Sequence, residues 1–193
     1  MNAGNGREPT DSDPETKRHL VLIGPRGAGK TSVARIVAAR LGRPPRDTDE
    51  SIQLSGVDTI AEIFKRAGEP AFRLRERDAL LGALQPPPAV VSVGGGAVLL
   101  AQNRAAIRAA GACVWLTARP DVLVDRVAGD PFTADQRPPL TLHSPSAEMT
   151  QLLNQRGPIY AELAQLRIDT SDLTLEQVAD RVLDWLQTME RRP

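Results

Sequence analysis

Eight residues near the start of the chain, Gly24-Pro25-Arg26-Gly27-Ala28-Gly29-Lys30-Thr31, carry the spacing G-x-x-x-x-G-K-[ST]. Each residue type has a physical purpose there. Glycines let the backbone fold tightly, so that successive N–H groups point inward at phosphate oxygens. The helix expected after the loop adds its positive end to the same site. Lys30 is placed to reach the β- and γ-phosphates of a nucleotide, and the Thr31 hydroxyl to ligate Mg²⁺.

Four further groups could do chemistry. Asp47 and Asp49 are spaced i, i+2, which in extended backbone turns both carboxylates the same way. One could approach Mg²⁺ through water and the other a substrate hydroxyl. The competing reading is a helix cap, with Thr48 or Asp49 capping residues 50 onward. Beside a phosphate loop the chemical reading is preferred. Many phosphate-loop enzymes hold their metal with an Asp at the end of a second sheet strand. Here Val93 is followed by Gly94-Gly95-Gly96 and no acid, so Asp47 is the nearest candidate in the chain. The glycine triplet is either a tight turn or a backbone that a ligand approaches closely. Its cost in chain entropy favours the second.

Arg73 stands three residues before Glu76, a helical spacing at which the two can pair and fix the guanidinium. Arg75 and Arg77 read as solvated surface residues. Arg156, before Gly157-Pro158, is a second cation, and a planar fork suits a small-molecule carboxylate. Arg137 precedes Pro138, which disfavours the helical region and extends it. It could fold over a nucleotide and stabilise a transferring phosphoryl group, or sit in a passive surface loop.

Strands and helices must position these groups. Residues 20 to 23, 89 to 93 and 112 to 117 are apolar runs that read as buried parallel strands, and residues 166 to 169 as a last short strand. Pro44 and Pro45 confine any strand before Asp47 to a short piece at a sheet edge. Helices are expected over 31 to 41, 50 to 54, 59 to 64, 69 to 84, 102 to 110 and 121 to 127. Two more follow: 148 to 163, broken or offset near Gly157-Pro158, and 175 to 189. Residues 129 to 146, with five glycines and prolines and little periodicity, read as a long loop. Strands alternating with helices imply an α/β fold with a parallel sheet covered on both faces. Sites in such folds lie at the carboxyl ends of the strands, so the phosphate loop, the Asp pair and the glycine triplet should converge.

The 193 residues suit one domain, expected over 18–193 after a disordered polar tail at 1–17. The 24 basic and 24 acidic side chains cancel, so no global field favours nucleic acid or an anionic membrane. No apolar stretch is long enough for a membrane span. The single cysteine, Cys113, lies in an apolar run and reads as a small buried hydrophobe. A cytoplasmic monomer is the default expectation.

Taken together, the pieces GPRGAGKTS (24–32), DTDESI (47–52), IAEIF (60–64), FRLRE (72–76), GGGAV (94–98), RPPL (137–140) and QRGPIY (155–160) resemble shikimate kinases, in the family's order. The resemblance implies a P-loop NTPase fold of the nucleoside-monophosphate-kinase type. That means a five-stranded parallel sheet flanked by helices, with a lid at about 129–146. It implies ATP-dependent phosphorylation of the 3-hydroxyl of shikimate, in aromatic amino-acid biosynthesis. Gly27, Ala28, Gly29, Lys30, Thr31 and Ser32 would then bind the nucleotide. Thr31 would bind Mg²⁺ directly and Asp47 would help through water. Arg73 and Arg156 would hold the shikimate carboxylate. Asp49, with Gly94, Gly95 and Gly96, would meet the ring hydroxyls, Asp49 as base or orienter. Arg137 would be the lid arginine, and Arg126 would lie along the adenine. A sugar-acid kinase acting on gluconate and a non-catalytic ligand-sensing domain are the rival readings. GGGAV and the FRxxE segment disfavour the first. The filled catalytic positions disfavour the second.

Overall fold

The first strand, β1 (His19–Ile23), is buried along its whole length. In a computed structural model, residues 18–54, 60–129 and 144–190 are described. The chain continues through α1 (Lys30–Leu41), β2 (Pro45–Asp47), α2 (Thr48–Leu54) and α3 (Ile60–Ala83) to β3 (Val90–Ser92). A single 3₁₀ turn (Ala97–Leu99) leads to α4 (Ala101–Ala110), β4 (Gly111–Thr117) and α5 (Pro120–Ala128). The last elements are α6 (Pro145–Leu163), β5 (Leu166–Asp169) and α7 (Leu175–Glu190).

The five strands form one sheet in the order β2-β3-β1-β4-β5, every pairing parallel. Successive β1 side chains point to opposite faces, and two apolar layers result. Leu20 and Leu22 join Val33, Val37, Leu116, Val178 and Val182 on the side of α1 and α7. Val21 and Ile23 join Leu80, Ile107, Trp115, Tyr160 and Leu163 on the side of α3, α4 and α6. A strand buried on both faces has to be apolar throughout, as residues 20 to 23 are.

β2 is the short edge strand expected from its prolines. Its polarity has a use: the Arg46 guanidinium donates to the carbonyls of Ala83 (2.8 Å), Pro87 (3.2 Å) and Gln85. The helices read at 59 to 64 and 69 to 84 are the two parts of α3, which meet at a non-helical Gly68 (φ 75°, ψ 174°), so the break between them stands. Two expected boundaries shift. α6 runs unbroken through Gly157-Pro158. Tyr160 and Leu163, buried beyond the proline, hold its last turn against the sheet, and packing outweighs the lost backbone donor of Pro158. α6 also starts at Pro145 rather than 148, because Ser144 accepts from the Ala147 N–H and Pro145 takes the first helical position. Most of the loop expected at 129–146, with Arg137, and the tail at 1–17 lie outside the described residues.

Candidate active site

The phosphate loop joins β1 to α1, and α1 begins at Lys30. Gly29 takes φ 87°, a left-handed conformation that turns the backbone into the helix and that favours glycine. The Lys30 ammonium donates to the Pro25 carbonyl across the loop (2.9 Å). Arg126, on α5, donates to the Thr170 hydroxyl (2.9 Å) and carbonyl (2.8 Å) and makes a long contact to the Gly27 carbonyl (3.5 Å). It therefore ties the loop to the end of β5.

Asp47 ends β2, beside Ser92 in the pairing with β3. Its two oxygens do different things. Oδ2 accepts from the Thr31 hydroxyl (2.6 Å), with Ser92 Oγ at 3.5 Å from the same hydroxyl. Oδ1 accepts from the N–H groups of Asp49 (2.9 Å) and Glu50 (3.2 Å) and so caps α2. Two expectations change. The cap is Asp47, not Thr48 or Asp49. The i, i+2 geometry of extended backbone does not apply either, because Asp49 lies in the first turn of α2. The helix turns Asp49 toward the glycine triplet: a Cβ on Gly94 would lie 2.5 Å from Asp49 Oδ1 and 3.1 Å from Glu76 Oε1.

The triplet is approached closely on several sides. A methyl on Gly96 would overlap the Arg73 guanidinium and displace it. A Cβ on Gly95 would lie 3.1 Å from the Gly24 carbonyl oxygen, which places the triplet against the entry to the phosphate loop. Arg73 Nη1 donates to Glu76 (2.6 Å), while Nη2 (2.9 Å) and Nε (3.2 Å) donate to Glu69. The Glu76 side chain is fully buried and that of Arg73 is 13% exposed. Burial opposes the charge on Arg73, but Glu76 and Glu69 outweigh it and hold the guanidinium pKa above its ordinary value.

α6 supplies the remaining cation. Tyr160 donates its hydroxyl to the Gly95 carbonyl (2.6 Å). Burial pushes the Tyr160 pKa up to about 12, opposed by the charge and hydrogen bond of Arg156 and reinforced by Glu76. Arg156 stands one helical turn before Tyr160 and close enough to influence its hydroxyl. Among the described residues, the phosphate loop, Asp47, Asp49, the glycine triplet and Arg73 meet at the carboxyl ends of β1, β2 and β3, with Arg126 reaching the loop from α5.

Sequence reasoning assigned nothing to Ser92, Thr170 or Tyr160, and to Thr48 only a capping role. Ser92 had a signal, as the polar member of the run Ala89-Val90-Val91-Ser92-Val93. The roles of the other three depend on contacts across the fold.

For Mg²⁺, the donors to test are the Thr31 hydroxyl, the Asp47 carboxylate and the Ser92 hydroxyl. All are hard oxygens, the type Mg²⁺ prefers, and they leave room for phosphate oxygens and water. Among the described residues no cluster of three or more His, Cys, Asp or Glu could hold a metal alone. A site completed by substrate phosphates is the arrangement that fits. No described helix is long and apolar enough to cross a membrane.

Comparisons with known proteins agree with this fold. The shikimate kinase family profile matches residues 26–187. A shikimate kinase of Rhodopirellula baltica is 42% identical over 173 residues, covering 90% of this chain and 92% of that one. One of Symbiobacterium thermophilum is 38% identical over 174 residues, covering 90% and 99%. The solved shikimate kinase of Acinetobacter baumannii in complex with shikimate superposes with a TM-score of 0.85 at 32% identity, covering 92% and 97%.

Proposed function

The chain belongs to the shikimate kinase family, and from that premise we propose that it transfers the γ-phosphoryl group of ATP to the 3-hydroxyl of shikimate. The products are shikimate 3-phosphate and ADP, formed within aromatic amino-acid biosynthesis. The observation that carries the reading is the meeting of Asp49 and the Arg73–Glu76 pair around Gly94–Gly96, against the phosphate loop. An anionic, hydroxyl-rich acceptor needs this combination of guanidinium forks and an acid.

Phosphoryl transfer passes through a loose transition state, so positioning and charge neutralisation supply most of the acceleration. Lys30 exchanges the Pro25 carbonyl for phosphate oxygens, and the loop amides cradle them. Thr31, Asp47 and Ser92 would hold Mg²⁺, which when bound neutralises charge on the β- and γ-phosphates. Arg73 and Arg156 hold the substrate carboxylate. Asp49 orients the attacking hydroxyl and receives its proton, and no strong base is required. Arg126 flanks the adenine side of the cradle. For Arg137, outside the described residues, the family resemblance implies a part in neutralising charge on the transferring phosphoryl group.

An ADP-release assay with shikimate and gluconate in parallel tests the reading. Turnover with shikimate is expected. Turnover with gluconate alone, or with neither, overturns it. Lys30→Met and Asp49→Asn should each abolish turnover while circular dichroism stays native.

A further inference from the structure

The glycine triplet lies against Asp49, Arg73 and the entry to the phosphate loop, yet glycines have no side chains to hold themselves in place. Two buried hydroxyls grip its backbone. Thr48, fully buried, accepts from the Gly94 N–H at 2.9 Å. Tyr160, also fully buried, donates to the Gly95 carbonyl at 2.6 Å. Between these grips lie the surfaces that face Asp49, Glu76 and Arg73. Gly95 also meets the Gly24 carbonyl of the phosphate loop. A free triglycine segment samples many conformations. One buried donor and one buried acceptor satisfied on its backbone select a single conformation.

We infer that Thr48 and Tyr160 are positioning residues for phosphoryl transfer, setting the Gly94–Gly96 turn as a rigid floor for the acceptor through their two hydroxyls. The inference rests on the kinase reading above. Thr48 immediately precedes Asp49, so its bond to Gly94 also fixes where the first turn of α2 presents that carboxylate. Tyr160 is held in turn by its ring, which packs on Trp115 with centroids 5.6 Å apart. Arg156 stands near the same hydroxyl.

Tyr160→Phe keeps the ring and removes the oxygen; Thr48→Val keeps the shape and removes the acceptor. In each, the shikimate KM should rise about tenfold and kcat should fall, while the ATP KM stays within about twofold, since the loss is one of acceptor placement. Thr48→Ser restores the hydroxyl and should recover most of the loss. Ile107→Val, a change in the same apolar layer as Tyr160, serves as the packing control: it should lower the Tm without moving the shikimate KM. Thermal unfolding of every variant separates misfolding from misplacement. If Tyr160→Phe and Thr48→Val fold and keep the wild-type shikimate KM and kcat, the inference is overturned. It is overturned equally if Ile107→Val raises that KM as much as they do. Absence of shikimate turnover by the wild-type protein instead overturns the kinase reading, and with it the acceptor assigned to this turn.

Discussion

Arg73 is the side chain in the site with most at stake energetically. Glu69, its outer partner, is 61% exposed, and such a contact contributes little. Glu76, its inner partner, is fully buried. Removing the guanidinium would take from that buried carboxylate the cation 2.6 Å away. Arg73→Ala should therefore lower the unfolding free energy by about 3 kcal/mol, measured by urea denaturation, besides weakening shikimate binding. Arg73→Lys restores a charge but not a planar fork, and should recover stability more than affinity. The same pairing explains how Arg73 can be read from sequence. A cation three residues before an acid on an amphipathic helix is a local pattern. That Glu76 is buried and Arg73 lies against Gly96 is not local, since it requires the turn after β3 to lie beside α3.

Within the elements, β1 carries a polar residue at its start. His19 is buried, and its Nδ1 accepts from the Ala89 N–H (3.1 Å), linking β1 to the segment that enters β3. Burial, with the nearby charges of Arg46 and Arg43, lowers its pKa below the ordinary 6.5. The folded chain thus keeps the ring neutral where the unfolded chain accepts a proton. Stability should fall as pH drops below about 6.5, and continue to fall until the folded-state pKa is reached. His19→Asn supplies an acceptor without a titration, so its urea midpoint should change less between about pH 7.5 and about pH 5 than that of the wild type. The lowered pKa of Asp169, due chiefly to hydrogen bonds from Ser171, acts below its ordinary 3.8 and does not overlap this window.

On the scale of the molecule, Cys113 reports on the sheet. It lies on β4, 1% exposed, and burial pushes its thiol up to about 12. It is the thiolate that attacks a disulfide reagent, so labelling near about pH 8 requires opening of the sheet. Native protein should react orders of magnitude more slowly than protein in urea, and saturating nucleotide should slow it further. Equal rates in both conditions would show that β4 is not the protected centre described.

The alternating strands, the cradle, the acid pair and the paired arginine were all legible in the chain itself, because each is a pattern of neighbours in sequence. A glycine spacing, an apolar run and an i, i+3 ion pair need no knowledge of what lies opposite. Asp47 accepting from Thr31, and Tyr160 reaching Gly95 from 65 residues away, were decided only by the tertiary structure. The first contact joins α1 to β2 and the second joins α6 to the turn after β3, and a hydrogen bond across a fold exists only once the sheet order has brought its two ends together.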